Sequence, residues 1–139
     1  RALLEVVRSA SEQAPRHPGP PVTSLSIDRL RLPSDSHEVL LARIDATLIF
    51  AQPRGPRTEE LAARTVQLCR LAAAMLTRGN LGPMCHAVIE GAAETTHLRA
   101  DSQVVLLMAF GRDVEVAAGL AHLERVWSNC RQELASVLT

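Results

Sequence analysis

The chain has 139 residues, 47% of them apolar and 22% charged, which suffices for one domain with a substantial core. Its fifteen basic and fifteen acidic side chains balance, so no strong field favours binding to nucleic acid or to an anionic membrane. Because it contains no lysine, it can form neither a phosphate-binding P-loop nor a Schiff base, and its three aromatic residues are too few for a platform that stacks nucleic-acid bases.

The amino-terminal part divides into a helix, a linker and a strand. Residues 1–12 carry apolar side chains at helical spacing. Four prolines within residues 14–21 predict an extended linker, because proline interrupts helical hydrogen bonding. Residues 22–32 are predicted to form a strand, which ends at a turn over residues 33–36.

An alternation of period two runs through residues 39–51 and indicates a half-buried strand. We predict one long strand that pairs with residues 22–32. The alternative is a tight hairpin around Asp45 and Ala46, although the segment has no glycine to ease such a turn.

A long helix is predicted over residues 58–78. Thr58 is a suitable N-cap, and Glu59 and Glu60 suit the positive end of the helix dipole. The stop is Arg78-Gly79-Asn80. Twelve of the sixteen residues between Leu61 and Leu76 are apolar. A helix that is apolar nearly all round must be covered on more than one side, and a second subunit is one source of that cover.

Three strands and a final helix follow. The strands are predicted at Met84–Glu90, Thr95–Arg99 and Gln103–Phe110, and their short connections indicate an antiparallel meander. The third is continuously apolar, so it is expected to be central and covered on both faces. The final helix carries an apolar seam with alternating steps of four and three residues, formed by Val116, Leu120, Leu123, Trp127, Cys130, Leu134 and Val137. We expect this seam to pack on the chain's own sheet; an intermolecular coiled coil is the alternative.

Together these elements predict an α/β (α+β) fold, with a five-stranded, mostly antiparallel sheet sandwiched between helices in the order α-β-β-α-β-β-β-α. Residues 1–139 are expected to form a single domain with the proline-rich linker at 14–21. Three widely spaced cysteines without a CxxC motif favour a reducing, cytoplasmic setting. The use of arginine without lysine is typical of GC-rich bacteria.

Catalytic and metal-binding patterns are weak. His86 and His97 could meet on neighbouring strands as two metal ligands, but the spacing supplies no third. Asp101 and Ser102 with His122 suggest a catalytic triad, yet the Asp-Ser pair suits a hairpin turn and no nucleophile elbow is present. We therefore expect no catalytic residues, no cofactor and no metal.

The segment from Val39 to Val137 resembles the Roadblock/LC7 domain. The resemblance rests on the first strand, the long helix from Thr58, the meander and the closing helix, with Asp45-Ala46 in place of the family's usual Asp-Gly turn. The helix at residues 1–12 is a candidate for the family's leading helix.

The resemblance implies a homodimer in which the middle helix packs against its twin and the following strand pairs with its copy. The predicted dimer interface comprises Leu61, Thr65, Leu68, Ala72, Met75, Cys85, Ala87 and Ile89. It further implies a non-catalytic adaptor that binds or regulates a Ras-like small GTPase, or scaffolds a complex, without nucleic acid or membrane as a partner. Arg64, Arg99 and Arg112 are candidates to contact the acidic surface of a GTPase. The alternative is a secretion-chaperone-like or sensory α/β dimer, a class that places three strands before the middle helix.

Overall fold

The computed structural model describes residues 27–138, so the predicted helix at 1–12 and the linker at 14–21 lie outside the described part. The elements are α1 (Ile27–Leu30), β1 (Ser36–Arg43), β2 (Leu48–Gln52), α2 (Thr58–Arg78), β3 (Ala87–Glu90), β4 (Glu94–Ala100), β5 (Val104–Gly111) and α3 (Val116–Leu138). The predicted α+β class is confirmed.

The five strands form one antiparallel sheet in the order β2-β1-β5-β4-β3. The predicted meander of β3, β4 and β5 is confirmed. All eight residues of β5 are buried, because this strand lies at the centre of the sheet and is covered on both faces. The strands at the two edges are β2 and β3.

Each face of the sheet carries its own hydrophobic core. On one face, residues of β1 and β5 such as Leu41 and Leu106 pack against the seam of α3. On the other face, Leu40, Leu98 and Leu107 pack against Ala62 and its neighbours on α2. The prediction that the seam of the last helix packs on the chain's own sheet is therefore confirmed.

The predicted strand at 22–32 is wrong where the structure describes it, because Ile27–Leu30 is a short helix. Leu30 is completely buried in the core beneath α3, and its carbonyl oxygen accepts a hydrogen bond from the Asn129 side chain at 2.9 Å. Two apolar residues three positions apart, Ile27 and Leu30, fit one turn of helix as well as they fit a short strand. Tertiary contacts decide between the two.

The single long strand at 39–51 is also wrong, since the chain forms the alternative hairpin. The turn closes through hydrogen bonds from the Arg43 N–H to the Thr47 carbonyl at 2.9 Å and from the Ala46 N–H to the Arg43 carbonyl at 2.8 Å. Ala46 takes the left-handed conformation with φ 77°, and an Asp45 carboxylate oxygen accepts the Thr47 N–H at 2.9 Å. The aspartate side chain and the left-handed Ala46 thus form the turn without a glycine.

Helix α2 has the predicted bounds, but its predicted N-cap is wrong. Arg57 occupies the cap position without a side-chain cap bond. Thr58 is the first helical residue, and its buried hydroxyl instead accepts the Gly55 N–H at 2.7 Å. At the other end the predicted stop is confirmed: Gly79 donates to the Met75 carbonyl, and Asn80 is left-handed with φ 58°.

Candidate protein-protein interface

Helix α2 leaves a row of large apolar side chains uncovered. Its inner side buries Ala62, Val66 and Cys69 against the sheet. Its exposed large side chains are Leu68 (42% exposed), Leu71 (59%) and Met75 (72%). Steps of three and four residues place these three on one side of the helix, and we call them the α2 stripe. Ordinary monomers scatter exposed apolar residues singly, whereas a continuous row indicates a contact surface.

The α2 stripe is one of two surface features on this side of the sheet that have no packing or pairing partner within residues 27–138. The other is β3, whose outer edge pairs with no strand among residues 27–138. Register places Ile89 opposite Thr96, and Thr96 opposite the buried Ala109, so these three side chains share a face. That is the α2 face, because Leu98, two residues after Thr96, belongs to the core beneath α2. Ile89 is 41% exposed there.

The predicted interface residues are distributed over the surface and the core. Leu68, Met75, Cys85 and Ile89 are exposed, and Leu61, Ala72 and Ala87 are half-buried. Thr65 is different. It is only 2% exposed and its hydroxyl donates to the Leu61 carbonyl at 2.7 Å, so its side chain belongs to the chain's own core.

Among the described residues, four exposed large apolar side chains were not in the predicted interface, and those of Leu71 and Leu81 are the two most exposed of the four. Leu71 was counted in the over-apolar helix but not in the interface, and Leu81 lies beyond the helix end with 73% of its surface exposed. The helical spacing of Leu68, Leu71 and Met75 indicates that Leu71 lies on the same side of the helix as the other two. No periodicity indicates that Leu81 is exposed, because this residue lies in the irregular connection between α2 and β3.

The three arginines proposed to contact a GTPase are not brought together. Arg64 lies on α2 and pairs with Glu60 at 2.8 Å. Arg99 lies on the opposite face of the sheet, where it pairs with Glu124 and stacks 5.2 Å from the centre of the Trp127 ring. Arg112 donates to the Gly91 carbonyl at 2.6 Å in the turn after β5. A single partner surface does not include both Arg64 and Arg99.

The weak metal pattern does not assemble. His97 is 1% exposed, and its ring meets Phe110 edge to face with centroids 5.7 Å apart. Burial, with a smaller contribution from His86, holds the pKa of His97 below its usual value. His86 itself is exposed. Within residues 27–138 no three potential ligands come together to hold a metal ion.

The triad pattern does not assemble either. One Asp101 carboxylate oxygen accepts the N–H groups of Gln103 at 2.7 Å and Val104 at 3.0 Å, which is the predicted turn function. His122 lies elsewhere, with its ring stacked 5.6 Å from that of Phe110 and its Nδ1 3.1 Å from Arg125. These residues therefore have structural explanations.

A groove that the sequence did not indicate lies where β2 leads into α2. It has a volume of about 490 Å³, and its walls include Pro53, Pro56 and Leu61 together with Arg54 and Glu38. Burial raises the pKa of Glu38, and the nearby charge of the Glu94 carboxylate adds to the effect.

Comparison with known proteins gives a clear result for the fold alone. No protein-family model and no curated protein sequence matches the chain. Among solved structures, Myxococcus xanthus MglB matches with a TM-score of 0.70 at 15% identity, over 83% of this chain and 95% of that one. A Roadblock/LC7 domain from Streptomyces avermitilis also has a TM-score of 0.70 and 15% identity, over 86% of this chain and all of its own. The chain has a Roadblock/LC7-type fold.

A second MglB structure, described as having a tetrameric arrangement, is similar to the chain with a TM-score of 0.65 at 12% identity, over 82% of this chain and 88% of its own. The Roadblock/LC7-type fold accounts for the hairpin, the middle helix, the meander and the closing helix. No helix within residues 27–138 has the length and hydropathy that a membrane span requires.

Proposed function

We propose that this chain is a non-catalytic, homodimeric adaptor that binds or regulates a Ras-like small GTPase, or scaffolds a larger complex. The α2 stripe carries the proposal. Leu71 and Met75 each expose more than half of their surface, which is costly in water unless another surface covers them. A second copy of α2 offers a matching apolar row.

The second support is the open edge of β3, on the same side as the stripe. A two-fold dimer joins identical patches, so a stripe next to an unpaired strand can be satisfied by the same stripe and strand of a twin. We assign to the interface Leu68, Leu71, Ala72, Met75, Ala87 and Ile89. Cys85 lies beside β3 and is included as a neighbour of the edge.

The GTPase part of the proposal depends on the Roadblock/LC7 resemblance. The fold carries no assembled catalytic group in its described part, and its exposed polar surface is rich in arginine. Arg112 is the accessible candidate for an acidic partner, whereas Arg64 stands four residues before Leu68 and therefore lies beside the α2 stripe at the proposed dimer interface. Arg99 is a weaker candidate because its side chain already packs on Trp127 and pairs with Glu124.

The dimer is tested by sedimentation equilibrium or light scattering at tens of micromolar. Wild-type protein is expected to have twice the chain mass, and Leu68→Glu is expected to give a monomer with unchanged circular dichroism. Ala73→Glu is the matched control, since Ala73 is exposed on the same helix but is neither three nor four residues from any member of the α2 stripe. A monomeric wild type, or a dimer unaffected by Leu68→Glu, would contradict the proposal.

The partner is tested with purified bacterial Ras-like GTPases loaded with GDP or with a non-hydrolysable GTP analogue. We expect binding that depends on the nucleotide and weakens about tenfold in Arg112→Ala. Arg43→Ala is the control, because Arg43 lies at the opposite end of β5, where it pairs with Val104. Equal failure of every GTPase to bind, with the dimer intact, would leave only the scaffold function.

The secretion-chaperone-like alternative is disfavoured by strand order. That class places three strands before the middle helix, whereas residues 27–57 contain only β1 and β2 before α2.

A further inference from the structure

The sequence around the open β3 edge has a self-complementary polar pattern. It reads His86-Ala87-Val88-Ile89-Glu90, with an imidazole and a carboxylate at equal distances from Val88. Three apolar residues separate them. A strand with this pattern can present each polar end to the opposite end of an antiparallel copy.

Register within the subunit fixes which side of the sheet each of these residues faces. Val88 pairs with His97 and Glu90 pairs with Thr95, and both partners are buried on the α3 face. His86 immediately precedes β3, and extending the strand by this one residue places it on the same face as Val88. Its proximity to His97 is independently indicated by its contribution to lowering the pKa of His97. His86 and Glu90 thus flank Val88 on one face, while Ala87 and Ile89 occupy the α2 face.

Symmetry then restricts how two copies of β3 can join. If the sheet is to continue with both α2 helices on one face, residues directly opposite each other must face the same side. In an antiparallel pair this condition places the two-fold axis at a residue and not between two residues. Within the core of β3, the axis can pass through Ala87, Val88 or Ile89.

The placement of His86 and Glu90 selects one of these three. An axis at Val88 places His86 opposite the partner's Glu90 twice and Ala87 opposite the partner's Ile89 twice. An axis at Ala87 places His86 opposite the partner's Val88, and an axis at Ile89 places Glu90 opposite the partner's Val88. An imidazole N–H of His86 can donate a hydrogen bond to the partner's Glu90 carboxylate, and cross-strand pairs of this kind stabilise a sheet, whereas either group facing an apolar side chain forgoes that contribution.

We propose that two copies of this chain join β3 to β3 in antiparallel register centred on Val88, with His86 of each subunit paired to Glu90 of the partner subunit. This inference rests on the proposed dimer and specifies its alignment. Arg99 on β4 and Glu124 on α3 face the same strip of the sheet and already pair with each other. The pairing also places the small Ala87 against the larger Ile89 on the face that carries the α2 stripe.

Disulfide trapping tests the register directly. In a Cys85→Ser background, Val88→Cys places two thiols opposite each other at the axis, within the range that a disulfide can span. Mild oxidation is expected to give a covalent dimer for Val88→Cys and little for Ala87→Cys or Ile89→Cys alone. A mixture of the Ala87→Cys and Ile89→Cys proteins is expected to cross-link. The Cys85→Ser protein alone is the control, because Cys69 and Cys130 are buried.

A charge exchange tests the paired side chains. His86→Glu places two acidic groups opposite each other in both pairs and is expected to weaken the dimer about tenfold. Adding Glu90→Arg is expected to restore or exceed the wild-type affinity. This rescue cannot arise within one subunit, because four residues of strand separate the two positions by about 13 Å. Circular dichroism confirms that each variant folds.

The outcomes separate this inference from the proposed function. Strong trapping through Ala87→Cys or Ile89→Cys alone, or a double variant as weak as His86→Glu, would overturn the register while leaving the dimer. A stable dimer that none of these cysteines traps would exclude β3 from the interface. Protein that is monomeric throughout would contradict the proposed function itself.

Discussion

The two faces of the sheet differ in how far one chain can cover them. On the α3 face, the central seam residues Leu123, Trp127, Cys130 and Leu134 are all buried by the chain's own sheet. On the α2 face the helix buries a narrow inner side and leaves Leu68, Leu71 and Met75 exposed. Both helices are long and apolar, so composition alone does not separate them.

The difference lies in the width of the apolar surface on each helix. A single seam along α3 matches the one sheet face beneath it, whereas twelve apolar residues in sixteen on α2 exceed what one face can contact. The excess is the physical basis of the interface assigned to α2. This excess predicts that the loss of stability caused by truncating an exposed apolar side chain on α2 depends on protein concentration, whereas the loss caused by truncating a buried side chain on α3 does not.

The largest effect is expected from matched truncations on the two helices. Leu123→Ala removes a completely buried side chain and is expected to lower the free energy of unfolding by about 2–5 kcal/mol at any protein concentration. Leu71→Ala removes a side chain that is 59% exposed in the single chain, so its cost is expected only where the dimer forms. Urea unfolding followed at several protein concentrations distinguishes the two.

This comparison would fail if Leu71→Ala were as damaging as Leu123→Ala in dilute, monomeric protein. It would also fail if Leu71→Ala had no effect at concentrations where the wild type is dimeric. Either result would show that the α2 stripe is not the surface on which the assembly depends.

A glycine substitution tests how tightly α3 packs on the sheet. A Cβ added at Gly119 would stand within 3.1 Å of three atoms of the buried His97 ring. Because the ring is enclosed, Gly119→Ala is expected to destabilise the fold by about 1–3 kcal/mol through overpacking, offset in part by the helix preference for alanine. Gly55→Ala is the control, since nothing lies within 4 Å of its added Cβ. Equal thermal midpoints for the two variants would contradict the close contact.

The same histidine gives the α3 face a dependence on pH. Burial lowers the pKa of His97 in the folded state, so the unfolded chain binds a proton more readily. The contribution of neutral His97 to the free energy of unfolding is therefore expected to be fully present above about pH 6.5. It is expected to be lost as the pH falls from there through the lower folded-state pKa. His97→Leu is expected to flatten this part of the profile, measured by urea unfolding between pH 5 and 8. A profile unchanged by His97→Leu would remove this explanation.

The fold was largely predictable from the sequence, and the failures have identifiable causes. Residues 104–110 and the seam of α3 gave unambiguous patterns because each repeats over many residues. The hairpin of β1 and β2 was missed because period two continues through the turn from Leu40 to Phe50. The continuous apolar run from Val39 to Ala42, which is buried in the structure, ends where polar residues 43, 45 and 47 begin, and this change was the better indication of a turn.

The candidate interface was predictable only in part. Helical spacing identifies which side of α2 Leu68 and Met75 occupy, and the structure shows that both are exposed. Spacing does not show where the edge between core and surface lies, so Thr65 was included although it is buried. The arginines failed for a different reason. A sequence does not indicate that Arg99 packs on Trp127, 28 residues further along the chain.

The smallest expected effect concerns the hairpin turn on which β1 and β2 depend. Ala46 adopts φ 77°, a left-handed conformation that a side chain disfavours by about 1–2 kcal/mol. Ala46→Gly removes that penalty but adds backbone freedom to the unfolded chain, so a net stabilisation of up to about 1 kcal/mol is expected. Ala51→Gly is the matched control, because Ala51 lies within β2 opposite Leu40 in extended backbone, where glycine is expected to destabilise by about 0.5–1 kcal/mol. Opposite shifts in the thermal midpoint would confirm that the strain is local to the turn. Destabilisation by both would show that Asp45, through its bond to the Thr47 N–H, already compensates for the alanine.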